Sequence, residues 1–196
     1  MTPRVRAWVV ASAVGAVAAL AISARPHSPT FVWNASASVP EGLYQVRPAR
    51  KLQVGDVVVV APPEPLASFL AQRRYLPRGA LLLKPVAALP GHTICRAGLR
   101  LQIDAAPRGD ARATDNLGRR LPAWRGCRRI RPGEVFLMNP TVSDSFDGRY
   151  FGALPVSAVI GRATPIWLSL SVRRRGPIAA ARPSSASPSP NGDPRP

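Results

Sequence analysis

Lysine is nearly absent from these 196 residues. Lys51 and Lys84 are the only two, although lysine and arginine together number 27 against 10 acidic residues, a formal net charge of +17. A guanidinium stays protonated at any working pH and cannot accept a proton, so an amine base has only two possible sources here. Histidine (His27, His92) and cysteine (Cys95, Cys127) are equally sparse. There is no CxxC and no Cys/His cluster, which argues against a bound metal, and no motif asks for a cofactor. Aromatics make up 6% of the chain. No aromatic-plus-basic motif accompanies the positive charge, which argues against nucleic acid as a partner, and a coding preference for arginine explains the excess equally well. The two cysteines leave two readings. Outside the cytoplasm they would form a disulfide, and buried free thiols are the alternative.

What is present begins with an uncharged stretch over residues 7–24, preceded by Arg4 and Arg6. As a helix it would span ~27 Å, close to the hydrocarbon thickness of a bilayer. The two arginines favour a cytoplasmic N-terminus and export of the residues beyond the stretch, while Arg25 votes weakly the other way. A cleaved secretory signal is the alternative, because Ala21-Ile22-Ser23 has small-x-small spacing. Both readings export the rest of the chain. Residues 1–30 therefore read as a cytoplasmic N-terminus with a single membrane anchor.

Residues 31–170 read as one mainly β domain. Short apolar runs at 56–60, 80–83, 99–103, 135–138 and 156–160 are broken by Gly and Pro and predict strands. Only 65–75 has helical spacing, with Leu66, Phe69 and Leu70 on one side. The polar, Arg/Gly/Pro-punctuated stretch 105–129 predicts a surface excursion, and Cys95 and Cys127 bracket it, so a bond between them would close that loop. Residues 171–196 are rich in Pro, Ser and Ala without apolar period and predict a disordered tail.

Three segments carry chemistry-bearing residues. In Asn34-Ala35-Ser36-Ala37-Ser38-Val39-Pro40-Glu41-Gly42-Leu43-Tyr44, two serines follow shortly after the apolar stretch; alone they read as a turn. Lys84, in Leu82-Leu83-Lys84-Pro85-Val86, directly follows an apolar run. Burial there disfavours the ammonium and lowers its pKa, the condition for deprotonating a serine near neutral pH. A lysine snorkelling to water from a strand end is the alternative. In Ser143-Asp144-Ser145-Phe146-Asp147-Gly148-Arg149-Tyr150-Phe151-Gly152, Asp147 and Arg149 can pair within a polar turn.

In order, spacing and local sequence the three segments resemble the type I signal peptidases, across nearly all of 32–167. The resemblance implies a signal-peptidase-like β fold with an N-terminal transmembrane helix, and a Ser–Lys catalytic dyad. Ser38 matches the nucleophile, and Lys84, in Lys84-Pro85-Val86-Ala87-Ala88-Leu89-Pro90-Gly91, matches the general base. Ser145, Asp147 and Arg149 match the segment that supports the lysine, and Ser36 matches an oxyanion-hole hydroxyl. Pro40 two residues after Ser38, then Glu41-Gly42-Leu43-Tyr44, is similar to the conjugative-transfer, TraF-type subfamily. Pro85 replaces the usual arginine after the lysine, and His92 stands where aspartate is usual.

The resemblance implies a bacterial inner-membrane enzyme with a periplasmic catalytic domain, acting on a pilin or other preprotein. Two alternatives arise from the residues. A self-cleaving repressor type uses Ser–Lys chemistry but has no apolar span. A basic, membrane-tethered, non-enzymatic conjugation factor contacting DNA accounts for the charge, but gives the Ser38, Lys84 and Asp147 segments no purpose.

Overall fold

The computed structural model describes residues 29–169, together with Thr2, Pro3, Trp8, Ser12 and Val14. The expected tail at 171–196 lies outside the described residues. So does the expected anchor at 7–24, apart from Trp8, Ser12 and Val14; Ser12 Oγ donates to the Trp8 carbonyl, one helical turn back. Among the described residues no helix is long and apolar enough to cross a membrane.

The domain is built from antiparallel strands in two sheets. β1 (Phe31–Asn34), β2 (Gly42–Arg47), β3 (Val57–Val60), β4 (Leu82–Ala88), β9 (Glu134–Leu137), β10 (Leu154–Pro155) and β11 (Val159–Leu168) form a seven-stranded sheet in the order β1-β2-β11-β3-β4-β9-β10. β5 (Thr93–Ala97), β6 (Arg100–Ile103), β7 (Ala106–Asp110) and β8 (Gly126–Arg129) form a four-stranded sheet in the order β7-β6-β5-β8. Helix α1 (Leu66–Gln72) follows β3, and the single turn α2 (Gly148–Phe151) precedes β10.

Alternation along the strands explains the core. Side chains on successive strand residues point to opposite faces. In the all-valine β3, Val58 and Val60 therefore join one apolar cluster with Leu66, Leu70, Val86 and Leu137, while Val59 joins another with Tyr44, Val46 and Leu83. A continuous apolar run is what a strand covered on both faces requires. β9 behaves likewise: Val135 and Leu137 pack with the first cluster, whereas Phe136 and Met138 pack with Ile94, Leu101, Ile130 and Tyr150. Leu66 and Leu70, four apart on α1, lay the helix against the first cluster.

The structure refines several sequence expectations. The strand expected from residue 80 begins at Leu82 and continues through Pro85, whose carbonyl accepts from the Met138 N–H at 3.1 Å. The run at 156–160 opens as a 3-10 turn over Val156–Ala158, and Pro155 at φ −65° presets that turn. The strand starts at Val159 and runs on to Leu168. Gly161 and Pro165 hid that length in the sequence; a Cβ on Gly161 would stand 2.5 Å from the Arg47 carbonyl oxygen on β2. The stretch 105–129 is exposed over much of its length but is anchored by the buried Ala111 and by Leu121 and Trp124 packed on the same cluster. It supplies β7 and β8, exposed along their whole lengths and paired to β6 and β5. Cys95 and Cys127 are directly opposed across β5 and β8 and disulfide-bonded, S–S 2.07 Å.

Helix α1 ends in a doubly hydrogen-bonded turn. Arg74 N–H donates to the Ala71 carbonyl and Tyr75 N–H to the Leu70 carbonyl, with Arg74 at φ 57°. Glycine favours that left-handed position, and a side chain there costs about 1–2 kcal/mol.

Candidate active site

Ser38 sits in the loop between β1 and β2, where Asn34, the last residue of β1, organises the turn. Asn34 Nδ2 donates to the carbonyls of Ser36, Val39 and Pro40 at 2.8–3.1 Å. Its Oδ1 accepts from both the N–H and the hydroxyl of Ser36. Ser36 Oγ and Ser38 Oγ are 2.9 Å apart. From the far side, Asn139 Nδ2 donates to the Ser38 carbonyl at 2.7 Å. Among the described residues no protein acceptor takes the Ser38 N–H.

Lys84 lies in the middle of the seven-stranded sheet, on β4 between β3 and β9 and opposite Val58. Alternation puts its side chain on the face shared by Leu82 and Val86, packed by the first apolar cluster. The residue is only 4% exposed. Burial pushes its pKa from 10.5 down to about 8. The Asp147 carboxylate pulls the value back up and the Arg149 guanidinium lowers it. The ammonium donates to Ser145 Oγ at 2.9 Å.

Asp147 and Arg149 are fully buried and form an ion pair, Nη2–Oδ2 2.9 Å, with Nε donating to Oδ1 at 2.9 Å. Asp147 also accepts from the N–H groups of Arg149 and Asn139, so its carboxylate caps α2 and ties the end of β9. Arg149 Nη2 donates to the carbonyls of Asn139, Val142 and Ser145. The loop that presents Ser145 to Lys84 is thus wound around one guanidinium. Gly148 permits this: a Cβ there would stand 2.7 Å from the Leu137 carbonyl oxygen and 2.6 Å from the Phe136 ring.

Ser36, Ser38, Lys84 and Ser145 line one cleft of about 220 Å³, otherwise walled largely by Leu70, Leu76, Leu81 to Leu83 and Phe146. Asp147 and Arg149 stand behind it. Ser38 is hydrogen-bonded to Ser36 and Lys84 to Ser145; no hydrogen bond joins Ser38 to Lys84. Lys51 is exposed and outside the cleft. His92 Nδ1 lies 2.5 Å from Asp104 Oδ2, both side chains partly exposed, so the histidine in the aspartate's usual place makes a local loop contact. Among the described residues no group of three or more His, Cys, Asp or Glu is arranged to hold a metal.

The family model of signal peptidase, peptidase S26, matches residues 5–168. The chain belongs to that family. Its TraF-type character appears in the curated relatives. The chain is 36% identical over 146 residues to conjugal transfer protein TraF of Agrobacterium fabrum, covering 68% of this chain and 80% of that one. It is 30% identical over 164 residues to plasmid transfer protein TraF of Escherichia coli, covering 79% and 92%. A solved signal peptidase I of Enterococcus faecalis superposes with a TM-score of 0.35 at 18% identity, over 59% of this chain and 98% of that one.

Sequence reasoning about this S26 member passed over Asn34, Asn139 and Arg96. Asn34 carried a signal, since an Asx residue two positions before a serine is a turn former. Asn139 precedes Pro140 and reads only as a turn. Arg96, on β5, donates to the Arg149 carbonyl and is buried, and nothing in its local sequence marks it.

Proposed function

We propose that this S26 member is a membrane-bound serine endopeptidase that removes leader peptides with Ser38 as nucleophile and Lys84 as general base. The observation that carries the reading is the shared apolar cleft in which a serine and a buried lysine of lowered pKa face the same space. On substrate binding Ser38 Oγ attacks the scissile carbonyl carbon, and neutral Lys84 takes the hydroxyl proton. The negative charge on the tetrahedral oxygen is met by the free Ser38 N–H and by the Ser36 hydroxyl. In the resting site Ser36 Oγ donates to Asn34 Oδ1, which leaves the Ser38 hydroxyl to donate to Ser36 Oγ, and the Ser36 proton turns to the oxyanion when Ser38 attacks. The C–N bond breaks as Lys84 returns the proton to the leaving amine. Water then cleaves the Ser38 ester by the same alternation. Ser145 holds the amine in register, and Asp147 with Arg149 holds Ser145.

A place at the bilayer is supported by the apolar stretch 7–24, which ends a few residues before β1, and by the sheet edge that β1 forms. Phe31, Trp33 and Trp167 are each more than half exposed, and the two tryptophans stack with ring centroids 5.6 Å apart. Tryptophan at such an edge suits the membrane interface, where an apolar body meets wet headgroups. This supports an inner-membrane protein with a periplasmic catalytic domain. The TraF relatives, named for conjugal and plasmid transfer, support a role in conjugation, with a pilin precursor as substrate.

The test is cleavage of a pilin precursor encoded near this gene, in membranes carrying the full chain, with N-terminal sequencing of the product. Release of a single mature species by wild type, and none with Lys84→Ala, is the expected result. Cleavage that survives Lys84→Ala but is lost with Lys51→Ala would overturn the assignment of the base.

A further inference from the structure

A second cleft opens beside the first. It encloses about 520 Å³ and shares Tyr75, Asp144 and Phe146 with the Ser38–Lys84 cleft. The rings of Tyr75 and Phe146, 5.3 Å apart, stand at the boundary. Four arginines line it, Arg73, Arg74, Arg112 and Arg119, against two carboxylates, Asp115 and Asp144.

Asp115 is already committed. It accepts from the Tyr75 hydroxyl at 2.5 Å, from Arg119 Nε at 2.7 Å, and from the N–H groups of Leu117 and Arg119. Desolvation opposes ionisation there, but those donors together outweigh it and hold the carboxyl well below the usual range. Arg119 is neutralised in the process. Arg112 uses Nη1 on the neutral Asn116 side chain. Arg73 Nη1 is buried 3.8 Å from Asp115 and makes no hydrogen bond. Arg74 is exposed, and its guanidinium makes no hydrogen bond or ion pair among the described residues. Positive charge in the cleft therefore exceeds what its own acids neutralise.

The backbone supplies an independent observation. Arg74 occupies the left-handed position that ends α1, where glycine is favoured. Strain retained at a cleft-lining residue points to a use for its side chain.

We propose that this second cleft binds a carboxylate-bearing part of the substrate polypeptide, an acidic side chain or the chain terminus, near the bond cut at Ser38. Arginine recognises a carboxylate through paired, charge-assisted hydrogen bonds. The ligand's identity as substrate rests on the peptidase reading; the site itself does not.

The test uses the full chain carrying Ser38→Ala and fluorescent alanine-rich peptides that differ only in a Glu-Glu or Gln-Gln pair, each with a free or amidated C-terminus. Anisotropy should show the carboxylate-bearing peptide binding about three- to five-fold more tightly, with the preference fading as salt rises. Arg74→Asn should abolish most of the preference with Tm unchanged or higher, whereas Arg100→Asn, an exposed change on the four-stranded sheet, should leave it intact. Sensitivity to Glu→Gln alone supports a side-chain ligand, and sensitivity to amidation alone supports the chain terminus. Equal binding of all four peptides, or an equal loss with both arginine variants, would overturn the proposal. Cleavage of the Gln peptide with Ser38 intact tests the peptidase reading separately. Carboxylate-dependent binding without cleavage would sink the catalysis and leave the cleft.

Discussion

The seven-stranded sheet holds Lys84 on a central strand and Ser38 beside an edge strand, while the four-stranded sheet carries neither. Yet the smaller sheet and its loops reach the same machinery from behind. Arg96 on β5 donates to the Arg149 carbonyl, Trp124 Nε1 donates to the Gly148 carbonyl, and the Tyr150 hydroxyl accepts from the Arg112 N–H. The two regions solve different problems. A proposed base must be buried to be neutral, so it sits between two strands of largely apolar residues, the all-valine β3 and the Val135-Phe136-Leu137 run of β9. The segment that orients it is polar and irregular, and needs bracing that a single sheet face does not give.

If that division of labour holds, the largest change should come from the brace's charged centre. Asp147→Ala leaves Arg149 buried and unpaired, and Arg149→Ala does the same to Asp147. Each should lower stability by about 3–5 kcal/mol, read from urea denaturation. A loss below 1 kcal/mol would mean that the ion pair does not hold the loop.

Removing the disulfide should separate the two regions more gently. The bond closes a loop of 32 residues, and the chain-entropy estimate for that length is about 3–4 kcal/mol. The paired Cys95→Ala and Cys127→Ala variant should lose that stability but keep its turnover at temperatures where it stays folded. Loss of turnover in a fully folded variant would show that the smaller sheet does more than brace.

The pH profile sharpens the other side of the comparison. Lys84 accepts a proton only when neutral, and burial sets its pKa at about 8. The kcat/KM should therefore fall about tenfold per pH unit below 8 and level off above it. A midpoint near 10.5 would mean that the base is not a buried lysine. The smallest effect belongs to the exposed edge: Trp33→Ala with Trp167→Ala should weaken binding to phosphatidylglycerol vesicles a few-fold without changing Tm, measured by co-sedimentation.

Much of this was legible in the residues, unevenly. The apolar runs at 56–60 and 135–138 announced β3 and β9, because strands buried on both faces need continuous apolar sequence. Lys84 stood out for the same reason, as a charge attached to such a run. β7 and β8 were not legible: exposed strands carry no apolar alternation, and their pairing is written in partners far along the chain. Asn34 and Asn139 act through backbone carbonyls that only the folded loops bring within reach. The Arg74 cleft needed the helix end, the 112–119 loop and the Phe146 turn to meet before its charge had a shape.

The most direct measurement compares turnover of one preprotein by wild type and by Ser38→Ala in the full chain at pH 8.5. Loss of the hydroxyl should lower kcat by at least ~10⁴-fold, leaving only the trace that binding and oxyanion stabilisation support without a nucleophile. Turnover within tenfold of wild type would contradict Ser38 as the attacking group.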